Sequence, residues 1–81
     1  MPDKKIEALW LSYRAILPKD ASANQIIETR RAFYAGAQGL FHAILTALEP
    51  GQDATEGDLA YMDNIERELR DFAVLIADGV A

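Results

Sequence analysis

The adjacent arginines Arg30 and Arg31 and the nearby Tyr34 are the residues of this sequence best suited to binding a charged ligand. An arginine guanidinium presents a planar fork of donors that matches the oxygens of phosphate or carboxylate. Tyr34 lies one helical turn after Arg30, and a tyrosine ring can stack on a nucleobase. These residue types at this spacing predict an anion site made by Arg30, Arg31 and Tyr34.

Arg30 falls at the centre of an otherwise apolar helix face, between Ile26, Phe33 and Ala37. Because an unpaired buried charge is very costly, its guanidinium must reach solvent, pair with a carboxylate or bind an anion. The structural alternative to a ligand site is an ion pair with Glu68 or with another carboxylate. The sequence alone leaves both interpretations open.

The motifs of common catalytic centres are missing from the sequence. There is no cysteine, and the one histidine, His42, is not close in sequence to a plausible serine nucleophile. Gly36 and Gly39 lie inside a predicted helix, whereas a phosphate-binding loop places its glycines in a strand-to-helix turn. No Glu-x-x-His pair of the kind that binds metals in helical bundles is present. We therefore expect a binding protein that is not an enzyme and uses neither a metal nor a cofactor.

Three amphipathic segments would position these residues. Apolar residues recur at i, i+3, i+4 and i+7 between capping and breaking signals, which predicts helices over residues 3–17, 22–49 and 55–77. The second helix would be about 40 Å long. Since the connections are short, we expect an all-α fold in which three helices run antiparallel as a single domain over residues 1–81.

Local signals set the predicted helix ends. Pro18 disfavours helical geometry at the residue before it and should end the first helix. Ser22 followed by Gln25 has the form of a capping box, in which two side chains satisfy free amides at a helix start, and Thr55 with Asp58 can cap the third helix. These signals predict where the second and third helices begin, and Gly79 suits the end of the third helix.

The long second helix has two contrasting faces. Its predicted core face consists of Ile26, Ile27, Phe33, Tyr34, Ala37, Leu40, Phe41, Ile44, Leu45 and Leu48. The opposite strip consists of the small residues Ala32, Gly36, Gly39, Ala43 and Ala47. One interpretation is that another helix of the same chain packs on this small-residue strip. The other is a symmetric helix–helix contact between subunits.

Size and charge narrow the possible partners. A core built from 81 residues is marginally stable alone, and without cysteines or a histidine cluster neither a disulfide nor a zinc site can support it. We therefore expect a homo-oligomer. A net charge of −5 argues against binding nucleic acid. No apolar run has the length of a signal core or a membrane span, so we expect a cytoplasmic protein that does not contact a membrane.

The segment from Glu28 to Ala37, with the sequence Glu-Thr-Arg-Arg-Ala-Phe-Tyr-Ala-Gly-Ala, resembles part of a group of small helical proteins encoded by tailed phages and prophages. The preceding turn, from Leu17 to Ala21, is similar as well. The resemblance covers about the first half of the chain and brings no assigned chemistry with it. It implies a phage accessory protein acting in the cytoplasm of an infected bacterium, where such proteins often counter host immunity.

Three functions are compatible with these features. The first is a counter-defence sponge, a homo-oligomer that sequesters a phosphate-bearing nucleotide signal at Arg30, Arg31 and Tyr34. The second is an inhibitor or adaptor that binds a host or phage protein. The third is a minor structural component of the phage. The first is favoured, because the two arginines and the tyrosine form the only local polar cluster set into an apolar face.

Overall fold

The computed structural model of the protein describes residues 3–48, 50–51 and 53–81. Over these residues the chain forms three α-helices and no β-strand. The helices are α1 (Lys5–Arg14), α2 (Ala23–Ala47) and α3 (Glu56–Ala77). The prediction of an all-α chain with a long central helix is confirmed. The predicted end of the second helix, Glu49, lies outside the described residues.

Helix α1 ends three residues before its predicted limit because its last turn tightens. The N–H of Ile16 donates to the carbonyl of Tyr13, and the N–H of Leu17 donates to that of Arg14, each at 3.1 Å. These i to i−3 bonds satisfy carbonyls that an α-helix leaves open at its end. Pro18 follows this tightened turn.

Both predicted caps form, and each is a capping box. At the start of α2 the N–H of Gln25 donates to Ser22 Oγ at 3.1 Å, and the N–H of Ser22 donates to Gln25 Oε1 at 2.7 Å. At the start of α3 the N–H of Asp58 donates to Thr55 Oγ1 at 3.0 Å, and the N–H of Thr55 donates to Asp58 Oδ2 at 3.2 Å. Helix α1 differs, since its N-cap residue, Lys4, makes no side-chain capping bond.

The carboxyl end of α3 closes in a Schellman motif. Gly79 has a φ of 73°, in the left-handed region that glycine adopts without strain. The N–H of Val80 donates to the carbonyl of Leu75 at 2.9 Å, and the N–H of Gly79 donates to that of Ile76 at 3.1 Å. Gly79 therefore ends the helix, as its position in the sequence predicts.

The chain comprises two compact units, Met1–Ala43 and Ile44–Ala81, and the boundary falls within α2. The description of residues 1–81 as a single domain stays a prediction. Among the described residues, Trp10 of the first unit is the one buried hydrophobic side chain, with 2% of its surface exposed. No helix in the described ranges combines the length and apolar character needed to cross a bilayer.

The predicted core face of α2 is covered only along a narrow stripe. The half-buried members of that face are Ile26, Phe33, Tyr34, Ala37 and Ile44. Ile27, Leu40, Phe41 and Leu45 are exposed. The periodicity indicates which residues share a face of α2. Other parts of the described chain cover less of that face than the sequence predicts.

Candidate functional site

Three aromatic side chains join α1 to α2 in the first unit, and a fourth, Tyr34, contacts them on α2. The Trp10 and Phe33 rings meet edge to face with 5.6 Å between centroids, and the Tyr13 ring stacks on Phe33 at 5.7 Å. Tyr34 meets Phe33 edge-on at 6.3 Å. Offset and edge-to-face pairs at these distances are favourable beyond the area that they bury. This cluster fixes the part of α2 that carries Arg30 and Tyr34.

Arg30 and Tyr34 form a cation–π pair across one turn of α2. The guanidinium carbon of Arg30 lies 5.2 Å from the centroid of the Tyr34 ring. Within about 6 Å such a contact contributes about 0.5–1 kcal/mol at an exposed site. The guanidinium of Arg30 therefore lies over the Tyr34 ring and holds the two side chains together.

Arg30 reaches solvent, which is one of the three outcomes that the sequence allows. Its side chain is exposed, although its position lies between half-buried neighbours on α2. A long side chain can lay its methylene groups along apolar neighbours while its charged end stays in water. The alternative ion pair with Glu68 joins residues of different units and stays a prediction.

The two arginines of the site differ in whether a carboxylate lies beside them. Arg31 Nη1 lies 3.7 Å from Glu28 Oε1, and about three quarters of each side chain is exposed. Such an exposed pair contributes about 0–1 kcal/mol, so it holds Arg31 only loosely. Among the described residues of the first unit, no ion pair includes Arg30. Of the two adjacent arginines, Arg30 is therefore the one whose guanidinium makes no ion pair with a carboxylate among the described residues of the first unit.

A surface depression of about 340 Å³ brings the three predicted site residues together. It is lined by Ile27, Arg30, Arg31 and Tyr34, and no carboxylate lines it. Volumes of 300–1,000 Å³ are typical of small-molecule sites. Ile27 was not predicted as part of the site. It lies three residues before Arg30 on the same helix, and this spacing indicates that the two side chains are neighbours.

A second depression, of about 560 Å³, shares Arg30 and Tyr34 with the first. Its other lining residues come from the start of α1 and include Lys4 and Lys5. Sequence reasoning missed these lysines, because their nearness to Arg30 depends on how α1 packs on α2. No spacing along the chain carries that signal.

The small-residue strip of α2 is uncovered at its two glycines. A Cβ built on Gly36 or on Gly39 would meet no heavy atom within 4 Å. Within the first unit, α1 therefore does not pack closely on these two glycines. The interpretation that another helix of the same chain packs on the strip stays a prediction. The alternative, a contact between subunits, also stays a prediction.

Among the described residues, no group of three or more histidine, cysteine, aspartate or glutamate side chains is placed to hold a metal ion. Comparisons with models of known protein families, with curated proteins and with solved structures find no match to this chain.

Proposed function

We propose that the protein is a non-enzymatic binding protein that takes up the phosphate of a small nucleotide at Arg30, with Arg31 and Tyr34 completing the site. The proposal depends on one observation above all. The Arg30 guanidinium is exposed and lies over the Tyr34 ring, and among the described residues of the first unit it makes no ion pair. It borders a depression whose lining contains two arginines and no carboxylate.

The chemistry of this arrangement suits an anion with an attached ring. Stacking on Tyr34 holds the plane of the Arg30 guanidinium, so less side-chain entropy is lost when its edge donates to a phosphate. Arg31 adds a second cation, and an incoming phosphate can replace the loosely held carboxylate of Glu28. The ring of Tyr34 and the side chain of Ile27, which both line the depression, supply apolar surface for a base.

The proposed biological role is a phage accessory protein that sequesters a nucleotide signal in the cytoplasm of an infected bacterium. The support for this role is the resemblance of the segment around Arg30 to small phage proteins. We further propose that the three helices run antiparallel and that the protein is a homo-oligomer. Many large apolar side chains of all three helices are exposed in one chain, and covering them by a second copy would bury apolar area.

A second candidate is a protein-binding inhibitor or adaptor. The observation that favours it is the exposed apolar stripe on α3, where Leu69, Phe72 and Ile76 each expose more than half of their surface. Apolar surface of this kind often marks contacts with other proteins. This candidate predicts a macromolecular partner and no dependence on Arg30.

Calorimetry and thermal shift on the pure protein, screened against cyclic dinucleotides, cyclic trinucleotides and nucleotide–ribose signals, test the first proposal. Arg30→Met should weaken binding at least tenfold, because a hydrogen bond to a charged group contributes about 1.5–3 kcal/mol. Its stability should change by less than about 1 kcal/mol, because the guanidinium is exposed and only the cation–π contact is lost.

The matched control is Arg67→Met, which removes an arginine from α3 in the second unit and should leave binding unchanged. Unaltered affinity in the Arg30→Met protein would overturn the proposal. Marked destabilisation of that variant, combined with no ligand in the screen, would show instead that Arg30 is a structural residue.

A further inference from the structure

We propose that the ligand carries two separate phosphate groups, one on each side of the Arg30–Tyr34 pair, and this inference rests on the function proposed above. The first phosphate would bind Arg30 and Arg31. The second would bind Lys4 and Lys5 at the start of α1.

The geometry that supports two subsites is the shared wall between two depressions. Arg30 and Tyr34 line both the depression of about 340 Å³ and the one of about 560 Å³. Arg31 lines only the first of these two depressions, and Lys4 and Lys5 line only the second. A molecule seated on the tyrosine can therefore extend in two directions and meet a different pair of basic side chains in each.

The two lysines are held by exposed pairs that a phosphate can replace. Lys5 Nζ donates to Asp3 Oδ2 at 2.8 Å, and Lys4 Nζ lies 3.8 Å from Glu7 Oε2. In the first pair more than 70% of each side chain is exposed, and in the second 75% of the lysine and 44% of the glutamate. Pairs this exposed contribute little because water and salt screen them.

The charges decide which subsite binds more strongly. Arg30 and Arg31 line the first depression without a carboxylate. The second contains Arg30 and two lysines but also Asp3 and Glu7, which oppose an anion. Before a ligand binds, three cations and two carboxylates line this depression, whereas Lys4 and Lys5 alone are balanced by Asp3 and Glu7. The Arg30 subsite therefore provides the main affinity, and the lysine subsite selects ligands with a second phosphate.

The ligand class that fits is a nucleoside whose phosphates are separated by the sugar. Two phosphates in one chain, as in a 5′-diphosphate, would extend into a single depression. A 3′,5′-bisphosphate places them on opposite sides of the ribose, with the base free to stack on Tyr34. Stacking tolerates any base, so the distinction lies in the number and position of the phosphates.

The test is calorimetry on the full chain with the 5′-monophosphate, the 3′-monophosphate and the 3′,5′-bisphosphate of adenosine and of guanosine. The bisphosphate should bind at least tenfold more tightly than the better monophosphate. Lys4→Met with Lys5→Met should remove that advantage and leave monophosphate binding within about twofold. Lys19→Met with Arg67→Met changes the net charge equally and should preserve the advantage. Arg30→Met should weaken both kinds of ligand.

The outcomes separate this inference from the proposed function. If the bisphosphate binds no better than a monophosphate, or if the double lysine variant weakens both ligands equally, the two-phosphate inference is overturned and the Arg30 site stands. The two-phosphate inference also fails if the control variant loses the advantage, since net charge alone would then explain it. If no probe binds, or if Arg30→Met weakens none, the proposed function fails together with the inference.

Discussion

The two units of the chain are stabilised by different means. In the first unit, Met1–Ala43, the side chain of Trp10 is buried against Phe33, although α1 begins without a side-chain cap. In the second unit, Ile44–Ala81, no described hydrophobic residue is buried, but α3 has a capping box at one end and a Schellman motif at the other. The first unit therefore depends on contacts between helices, and the second on bonds close together in the sequence.

This difference shows where binding can be precise. A ligand site needs side chains that are held from more than one direction, and the aromatic cluster gives Tyr34 that support through Phe33. On α3, Leu69, Phe72 and Ile76 each expose more than half of their surface. We therefore place the small-molecule site in the first unit and expect the second to contribute association with another protein surface.

The largest loss of stability is expected from Trp10→Ala, which tests whether the first unit depends on its buried aromatic contact. Removing the one buried hydrophobic side chain found among the described residues should cost about 3–5 kcal/mol, which is much of a small domain's stability. Urea denaturation followed by circular dichroism at about 222 nm measures this loss. The Arg30 site should be lost as well, because α1 would no longer hold Phe33 in place.

Leu9→Ala is the matched control for this prediction, since Leu9 is the neighbouring residue of α1 and 61% of it is exposed. Its substitution should cost less than about 1 kcal/mol. Equal losses from Trp10→Ala and Leu9→Ala would contradict the view that the first unit depends on one buried aromatic contact.

A smaller effect is expected from Thr55→Ala in the second unit. The substitution removes the oxygen that accepts from the N–H of Asp58, and loss of such a cap costs about 0.5–2 kcal/mol. Asp58 exposes only 7% of its surface, whereas the capping box at Ser22 is exposed. Thr55→Ala should therefore cost more than Ser22→Ala, as measured by urea denaturation. A larger loss of stability from Ser22→Ala than from Thr55→Ala would contradict the view that local hydrogen bonds stabilise the second unit.

Local features of the fold were predictable from the sequence, and contacts between helices were not. The capping boxes at Ser22 and Thr55 and the glycine at position 79 set helix ends through bonds that span a few residues, so residue spacing was enough to predict them. The nearness of Arg30 and Tyr34 followed in the same way from their spacing of four residues, but the placement of the guanidinium over the ring was not predicted. The sequence predicted that α1 ends at residue 17, next to Pro18. Its end at Arg14 was missed, because the turn that tightens lies before the proline.

The nearness of Lys4 and Lys5 to Arg30 could not be predicted, because it depends on the packing of two helices. Lys4 and Lys5 lie 25 or more residues before Arg30, and they share a depression with it only because Trp10 and Tyr13 pack on Phe33. Periodicity also overstated the covered part of α2, since a repeat shows which residues share a face and not whether anything packs on it.

The smallest effect on the stability of a single chain is expected from Phe72→Ser, which tests the role given to the second unit. Phe72 is 53% exposed and belongs to the apolar stripe of Met62, Ile65, Leu69 and Ile76. The substitution should change the free energy of unfolding of the monomer by less than about 1 kcal/mol, because the residue buries little of its surface within the chain. It should nevertheless weaken self-association at least tenfold, measured by sedimentation equilibrium or light scattering at micromolar concentrations.

Val74→Ser is the control for that prediction, because Val74 is 54% exposed but lies two residues from Phe72, about 200° around the helix and away from the stripe. If the stripe forms the interface, Phe72→Ser weakens association and Val74→Ser leaves it unchanged. Equal weakening of self-association by Phe72→Ser and Val74→Ser would mean that the contact between subunits does not depend on one face of α3. A wild-type protein that stays monomeric at high concentration would contradict the homo-oligomer itself, and the exposed stripe would then favour a different protein as the partner.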